Sequence, residues 1–328
     1  MGNQSLARKI LKWVLGIIVG LLLIFFYGVV PWFLTTITTT GTFHFRDPND
    51  GKTPATYGMG FSEVEFKTSD GIDLKGWYVP ASGAARGTII YLHGLNRTRV
   101  EMLPMAAFAH QLGYNGVLFD LRHEGQSGGA VKSVGYWERL DAEGAMRFAF
   151  DDEHAARPAV LWGISLGAAA ALMAAAESPD VAAVISDSTF LNFRDTVVHH
   201  FRLFMGRFRP WWFPPLPAFP LADEVIYWSA SRAHFKPSDF DLEKAVARIN
   251  PRPILFVAVE GDLRMPPDIA RRLYADSTSP LKQILVVPGT RHGEGFNQAT
   301  AQYEQAVTDF LAHVNPVAAT PQPTPSGR

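Results

Sequence analysis

Residues 163–167 read Gly163-Ile164-Ser165-Leu166-Gly167, preceded by the apolar run AVLW at 159–162 and followed by the alanine-rich AAAALMAAA at 168–176. The first run has the composition of a buried strand and the second that of a helix, so the pentapeptide predicts a strand-to-helix turn. A glycine two residues to either side lets a serine stand on a sharp bend, its hydroxyl projecting from the end of the strand. That is the setting of a nucleophile. The alternative is a glycine-rich turn whose serine is inert.

Outward from this turn the chain alternates. Short β-rich runs at 88–92, 116–119, 159–162, 182–185, 253–259 and 283–287 are separated by helical patterns at 99–112, 137–150, 166–176, 268–274 and 297–314. Continuous apolar strands between helices imply an α/β fold, a mostly parallel sheet covered by helices on both faces. Residues 61–80 read as an antiparallel hairpin at one edge, turning at Ser69-Asp70-Gly71. Between 188 and 249 no strand appears, and the stretch is rich in Phe and Trp. A loop of that length is improbable in a compact domain, so an inserted helical cap is expected. Phe190, Phe193, Val197, Phe201, Phe204 and Phe208 step by three or four and predict one helix face.

A nucleophilic serine needs a base and an acid to orient it. His292, in PGTRHGEGF after the last strand, sits where a loop reaches the carboxyl edge of such a sheet. The other histidines, including His199 and His200 in the cap, are read as structural. Asp262 follows the strand PILFVAVE and is the expected acid; Asp187, ending the preceding strand, is the rival and Glu260 a distant third. The oxyanion donors are expected to be the Leu166 N–H, at the start of the helix, and the Leu95 N–H, in the loop His93-Gly94-Leu95. His93 itself is read as a brace for that loop.

In that order, HGLNRTR, FDLRHEGQSGG, WGISLG, EGDLRMPP and TRHGEG resemble the motifs of the α/β-hydrolase superfamily over residues 61–314. The likeness is strongest to small bacterial serine hydrolases with an N-terminal membrane span, a group of esterase-, lysophospholipase- and acyl-peptidase-like proteins. The resemblance implies the α/β-hydrolase fold with a helical cap insertion, the chain order Ser165, Asp262, His292 for the triad, and a structural turn at Asp120–Ser127. One departure stands in the acid loop. The glycine usually found three residues before the aspartate is Val259 here, while Pro266, four after it, keeps the register. The implied reaction is hydrolysis of a carboxylic ester or thioester with an apolar acyl group, lipid among the candidate substrates. A peptidase with the same triad and a non-catalytic binding protein on the same fold are the alternatives. Dienelactone-hydrolase-like chemistry is disfavoured, because that group uses a cysteine.

Of the 328 residues, 47% are apolar and 19% charged, with 30 basic against 31 acidic residues. Such a balance speaks against a nucleic-acid partner. With no cysteine, disulfides, thiolate nucleophiles and cysteine-ligated metals are excluded. No metal, phosphate-loop or dinucleotide motif is present, so no cofactor and no metal are expected.

Residues 13–34, WVLGIIVGLLLIFFYGVVPWFL, carry no charge. About 22 residues of helix span about 33 Å, enough to cross a bilayer. Trp13 and Trp32 sit where interfacial aromatics are expected, and Arg8, Lys9 and Lys12 precede the span. The charge bias predicts a cytoplasmic N-terminus (1–12), an uncleaved anchor (13–34) and an exported catalytic domain, in a bacterial inner or plasma membrane. The rival is a cleaved signal, but no A-x-A-like site follows. Residues 35–60 read as a linker, 61–315 as the hydrolase domain (188–249 its cap), and 316–328 as a disordered tail.

Within 189–215 four arginines face one aspartate. Two readings of the cap follow. In one, Phe190, Phe193, Phe201, Phe204, Trp211 and Trp212 line the substrate pocket as a lid. In the other, Trp211, Trp212 and Phe213 also enter the lipid headgroup layer.

Overall fold

The computed structural model describes residues 2–208, 211–212 and 217–314; the tail at 316–328 and Phe213 lie outside these. Eight strands form one sheet: β1 (Ser62–Lys67), β2 (Asp73–Val79), β3 (Thr88–Leu92), β4 (Asn115–Phe119), β5 (Ala159–Ile164), β6 (Val181–Asp187), β7 (Ile254–Val259) and β8 (Lys282–Val287). Their spatial order is β1-β2-β4-β3-β5-β6-β7-β8. β1 and β2 are the expected antiparallel edge hairpin, and from β4 onward the sheet is parallel.

The helices are α1 (Gly2–Ile24), α2 (Val30–Thr39), α3 (Leu103–Gln111), α4 (Glu138–Arg147), α5 (Leu166–Glu177), α6 (Phe193–Phe208), α7 (Leu221–Arg232), α8 (Leu242–Arg248), α9 (Pro267–Asp276), α10 (Gly295–Gln298) and α11 (Thr300–Val314). Alternate strand residues feed two cores. Ile90, Leu92 and Leu161 pack with α4, α5, α8 and α9 on one face. Ile89, Tyr91, Trp162 and Ile164 pack with α3 and α11 on the other. α5 is buried on every side from Leu166 to Ala175, which its alanines permit because they let neighbouring backbones approach closely. β4 lies on one side of β3 and β5 on the other, and α3 and α5 cover opposite faces. The sheet therefore changes winding direction at β3 and β5, and the carboxyl ends of these two strands are where open α/β sheets bind their ligands.

The cap insertion is helical, but the aromatic stripe does not form a single face. Phe190 precedes α6 and stacks on Phe240, with ring centroids 5.5 Å apart, and Phe193 packs edge-on against Phe235. Both belong to the core below the cap. Phe201 is half-buried, while Phe204, Trp211 and Trp212 are exposed. The first turn of α6 is spent on the domain core, so only its later turns stand clear of it.

At the N-terminus the helix outruns the expected span. α1 leads through a π-helical turn (Phe25–Val29) into α2, giving one apolar rod from Leu6 to Thr39. Pro31 has no N–H to donate, and its ring would crowd the carbonyl four residues back; the wider turn just before it accommodates this. Residues 35–39, expected as linker, are helical. A run of β-branched threonines is a poor helix former. Here, however, Thr36 and Thr39 hydroxyls donate to the carbonyls of Trp32 and Thr35, each at 2.7 Å. Thr35 and Thr39 are also buried, and α2 packs along α7.

Candidate active site

Ser165 sits between β5 and α5 with φ 54° and ψ −113°, a conformation that L-residues rarely adopt. The flanking glycines make the bend possible. A Cβ on Gly167 would strike the Leu92 carbonyl, and one on Gly163 would strike the Gly167 backbone. The strand before the bend stays in register, for the Ser165 N–H donates to the Asp187 carbonyl at 2.8 Å.

The structure brings Ser165, His292 and Asp262 together. His292 Nε2 lies 2.9 Å from Ser165 Oγ, and His292 Nδ1 lies 2.6 Å from Asp262 Oδ2. The other Asp262 oxygen accepts the N–H groups of Arg264 (2.8 Å) and Met265 (3.1 Å), which fixes the carboxylate from behind. Burial by itself raises the pKa of Asp262. The hydrogen bonds from His292, Met265 and Arg264, with the charge of His292, outweigh that and hold it below the usual carboxylate range. Burial also leads at His292, where it lowers the pKa; the bond to Asp262 opposes this, and the charges of Arg264 and Arg97 add to it. The ring is thus neutral at neutral pH, Nδ1–H donating to Asp262 and Nε2 accepting from the serine hydroxyl.

Asp187 takes no part in this chain. It is fully buried, accepts from Ser188 Oγ (2.7 Å) and Tyr303 Oη (2.9 Å), and burial lifts its pKa to about 6. Glu260 is exposed.

The loop at His93–Asn96 follows β3, beside the serine bend. Leu166 N–H lies in the first turn of α5, where no intrahelical acceptor exists. Among the described residues neither it nor Leu95 N–H has a hydrogen-bond acceptor. His93 is fully buried; its Nδ1 meets the Gly94 carbonyl at 2.8 Å and its Nε2 accepts the Leu121 N–H at 3.0 Å. Burial drives its pKa down to about 4, so it is a neutral brace. Glu101 holds the same loop from the other side, its Oε2 accepting the Gly94 N–H at 2.7 Å. Asp120 anchors the turn after β4, accepting from Arg99 N–H and Gln126 N–H, each at 2.9 Å.

Two groups near the site were not legible as such in the sequence. His199 Nε2 contacts the Leu263 carbonyl at 2.8 Å, which lays α6 across the acid loop. His200, one residue on, has a pKa lowered to about 4, chiefly by burial and also by the charges of Arg264, His199 and His292. Cap and acid loop are distant in sequence, and only the tertiary fold joins them.

The family model described as Serine aminopeptidase, S33 matches residues 83–240, a stretch that contains Leu95 and Ser165 and ends before Asp262 and His292. The uncharacterized protein YqkD of Bacillus subtilis is 26% identical over 247 residues, 75% of this chain and 77% of the relative. The uncharacterized membrane protein YNL320W of Saccharomyces cerevisiae is 26% identical over 291 residues, 85% of this chain and 93% of the relative. Among solved structures, the esterase PF2001 of Pyrococcus furiosus superposes with a TM-score of 0.67 at 20% identity, over 84% of this chain and 98% of its own. With the sheet winding outward from β3 and β5, a serine on a strained bend between strand and helix, and this likeness to solved structures, the chain has the α/β-hydrolase fold, and its stretch 83–240 is similar to the serine aminopeptidase S33 family.

Proposed function

We propose that the protein is a serine hydrolase that cleaves carboxylic esters or thioesters carrying an apolar acyl group, with Ser165 as nucleophile, His292 as general base and Asp262 as the acid that orients it. The observation that carries this reading is the unbroken chain Ser165 Oγ, His292, Asp262, at 2.9 and 2.6 Å. His292 takes the serine proton as Oγ attacks the acyl carbonyl, and Asp262 stabilises the imidazolium. The N–H groups of Leu95 and Leu166 receive the oxyanion. The imidazolium then protonates the leaving alcohol or thiol, and water attacks the acyl-enzyme by the same route in reverse.

The test is labelling of the full-length protein by a fluorophosphonate probe, followed by turnover of ester, thioester and amide series of rising acyl length. Labelling is expected in the wild type and lost in Ser165→Ala, with kcat lowered by roughly 10⁴-fold or more. Turnover near wild type in Ser165→Ala would sink the reading. The matching family is described as serine aminopeptidases, which favours peptide amides as the second reading. Preference for an amino-terminal amide over every ester would decide for it.

We also infer that residues 13–34 anchor the chain in a membrane with the N-terminus cytoplasmic and the hydrolase domain outside. Supporting this are a mean hydropathy of 2.7 over the rod's most apolar 18-residue stretch, the absence of burial along that stretch, and the basic residues Arg8, Lys9 and Lys12 just before residues 13–34.

A further inference from the structure

We propose that α7 of the cap is a second bilayer contact, running through the lipid headgroup layer beside the anchor with Tyr227 and Trp228 facing lipid. The inference rests on how α7 packs against the anchor and not on the catalytic assignment. Ser229 Oγ lies 3.5 Å from Thr35 Oγ1, and Arg232 Nη1 lies 3.1 Å from Thr36 Oγ1 and 3.5 Å from Thr39 Oγ1. The two helices therefore run in the same direction, and the N-terminal half of α7 is the half nearer the membrane. α7 also reaches residues 25–29, inside the apolar run.

The depth follows from helix geometry. A hydrocarbon core of about 30 Å takes about 20 residues of helix. Counted from Trp13, just after Lys12, it ends near Trp32. Thr35 lies three residues further, about 4–5 Å above that edge at 1.5 Å per residue. The headgroup layer is about 5–8 Å thick on each side. Ser229 is level with Thr35, so Tyr227 and Trp228 fall within that layer or at its floor.

The side chains suit that depth. Tyr227 is 63% exposed and Trp228 48%, while Leu221, Ala222, Val225, Ile226, Ser229 and Ala230 are buried against the domain and the anchor. Trp228 Nε1 donates to Glu224 Oε2 at 3.1 Å, so its polar atom is satisfied while the ring stands clear. Tyr and Trp are the side chains favoured where one end meets lipid and the other water. Before α7, Phe219 is 71% exposed and borders a groove of about 710 Å³ shared with Arg194 and Arg202. Of the two acids in the first turn of α7, Asp223 is paired with Arg194 at 2.7 Å and Glu224 accepts from Trp228.

The chain has no cysteine, so single reporters can be placed without background. Tyr227→Cys and Trp228→Cys alter exposed positions. Leu23→Cys marks the span, and Gln302→Cys marks α11, on the opposite face of the sheet. Each full-length variant is labelled with an environment-sensitive fluorophore and reconstituted in phosphatidylcholine–phosphatidylglycerol vesicles. Nitroxide lipids, labelled at the headgroup or within the acyl chain, and aqueous iodide serve as quenchers. Expected are quenching of the 23 reporter by acyl-chain nitroxide, of the 227 and 228 reporters by headgroup nitroxide, and of the 302 reporter by iodide alone. If 227 and 228 behave like 302 while 23 is quenched by lipid, the cap is a water-facing lid and the proposal is overturned. If the 23 reporter also escapes lipid quenching, the anchor itself is wrong and the proposal falls with it.

Discussion

At Ser165 the chain holds a positive φ on a side chain that prefers a negative one, a cost of order 1–3 kcal/mol borne by the surrounding close packing. Gly167→Ala is expected to prevent folding, because the new methyl meets the Leu92 carbonyl and neither backbone can yield; soluble, active Gly167→Ala protein would contradict this. The pH dependence of the proposed reaction follows from His292. The reaction needs the neutral ring, so the rate is full above the folded pKa and lost as pH falls through it. That pKa lies below the ordinary histidine value, so the acid limb of kcat/KM is expected below about pH 6.5. A limb centred above pH 7 would show that another group controls the step. The two aspartates separate by the same logic. Asp262→Asn should cost about 10⁴ in kcat by disturbing the histidine tautomer. Asp187→Asn should chiefly disturb its bonds to Ser188 and Tyr303, seen as lower thermal stability with kcat little changed.

At the scale of elements, the segment after α2 is clamped to the loop that carries Leu95. Lys132 is 1% exposed; its N–H donates to the Thr39 carbonyl at 2.7 Å, and its Nζ donates to Gly41 O (2.7 Å) and Asn96 Oδ1 (2.5 Å) and pairs with Glu124 at 3.2 Å. Glu124 in turn accepts the Asn96 N–H at 2.7 Å, and the Asn96 carbonyl accepts the Phe45 N–H at 2.9 Å. Removing one partner of a buried ion pair strands the other, which costs about 3–5 kcal/mol. Lys132→Met should therefore lower the midpoint of unfolding sharply. Since Asn96 follows Leu95, the surviving folded protein should lose kcat more than KM. An unfolding midpoint like that of the wild type would show that the clamp contributes little.

For the whole molecule, the anchor and the domain are not beads on a string. The rod continues out of its apolar stretch, packs on α7 and hands over through Thr40 and Gly41 to the domain, where His123 Nε2 meets the Thr40 carbonyl at 3.1 Å. The domain is thus held in a set position on the rod, its cap packed against it, and on the membrane reading proposed above this fixes its distance from the bilayer. Membrane fractionation should retain the chain at full length, and a reporter active only outside the cytoplasm should work when fused after Val314. A soluble product beginning near Thr40 would show that the span is a cleaved signal.

How much was readable in the linear chain depends on how local each determinant is. The strands, the serine bend and the apolar span are written in consecutive residues, because burial on both faces, a glycine-flanked turn and a bilayer-length run each leave a contiguous pattern. The meeting of Ser165, Asp262 and His292 was legible because each lies just past a strand at the same sheet edge. What only the tertiary structure decided are matters of which distant surfaces meet. Thr35–Thr39 look like linker and are helix, because hydroxyl bonds and α7 overcome their low propensity. α7 and α8 escaped notice among the aromatics and prolines of the cap. Phe190 and Phe193, expected over the pocket, are core, since Phe240 and Phe235 return from the far end of the same insertion to cover them. Helix propensity and periodicity act over a few residues, whereas these placements are set by partners tens to hundreds of residues away, and no local pattern encodes that meeting.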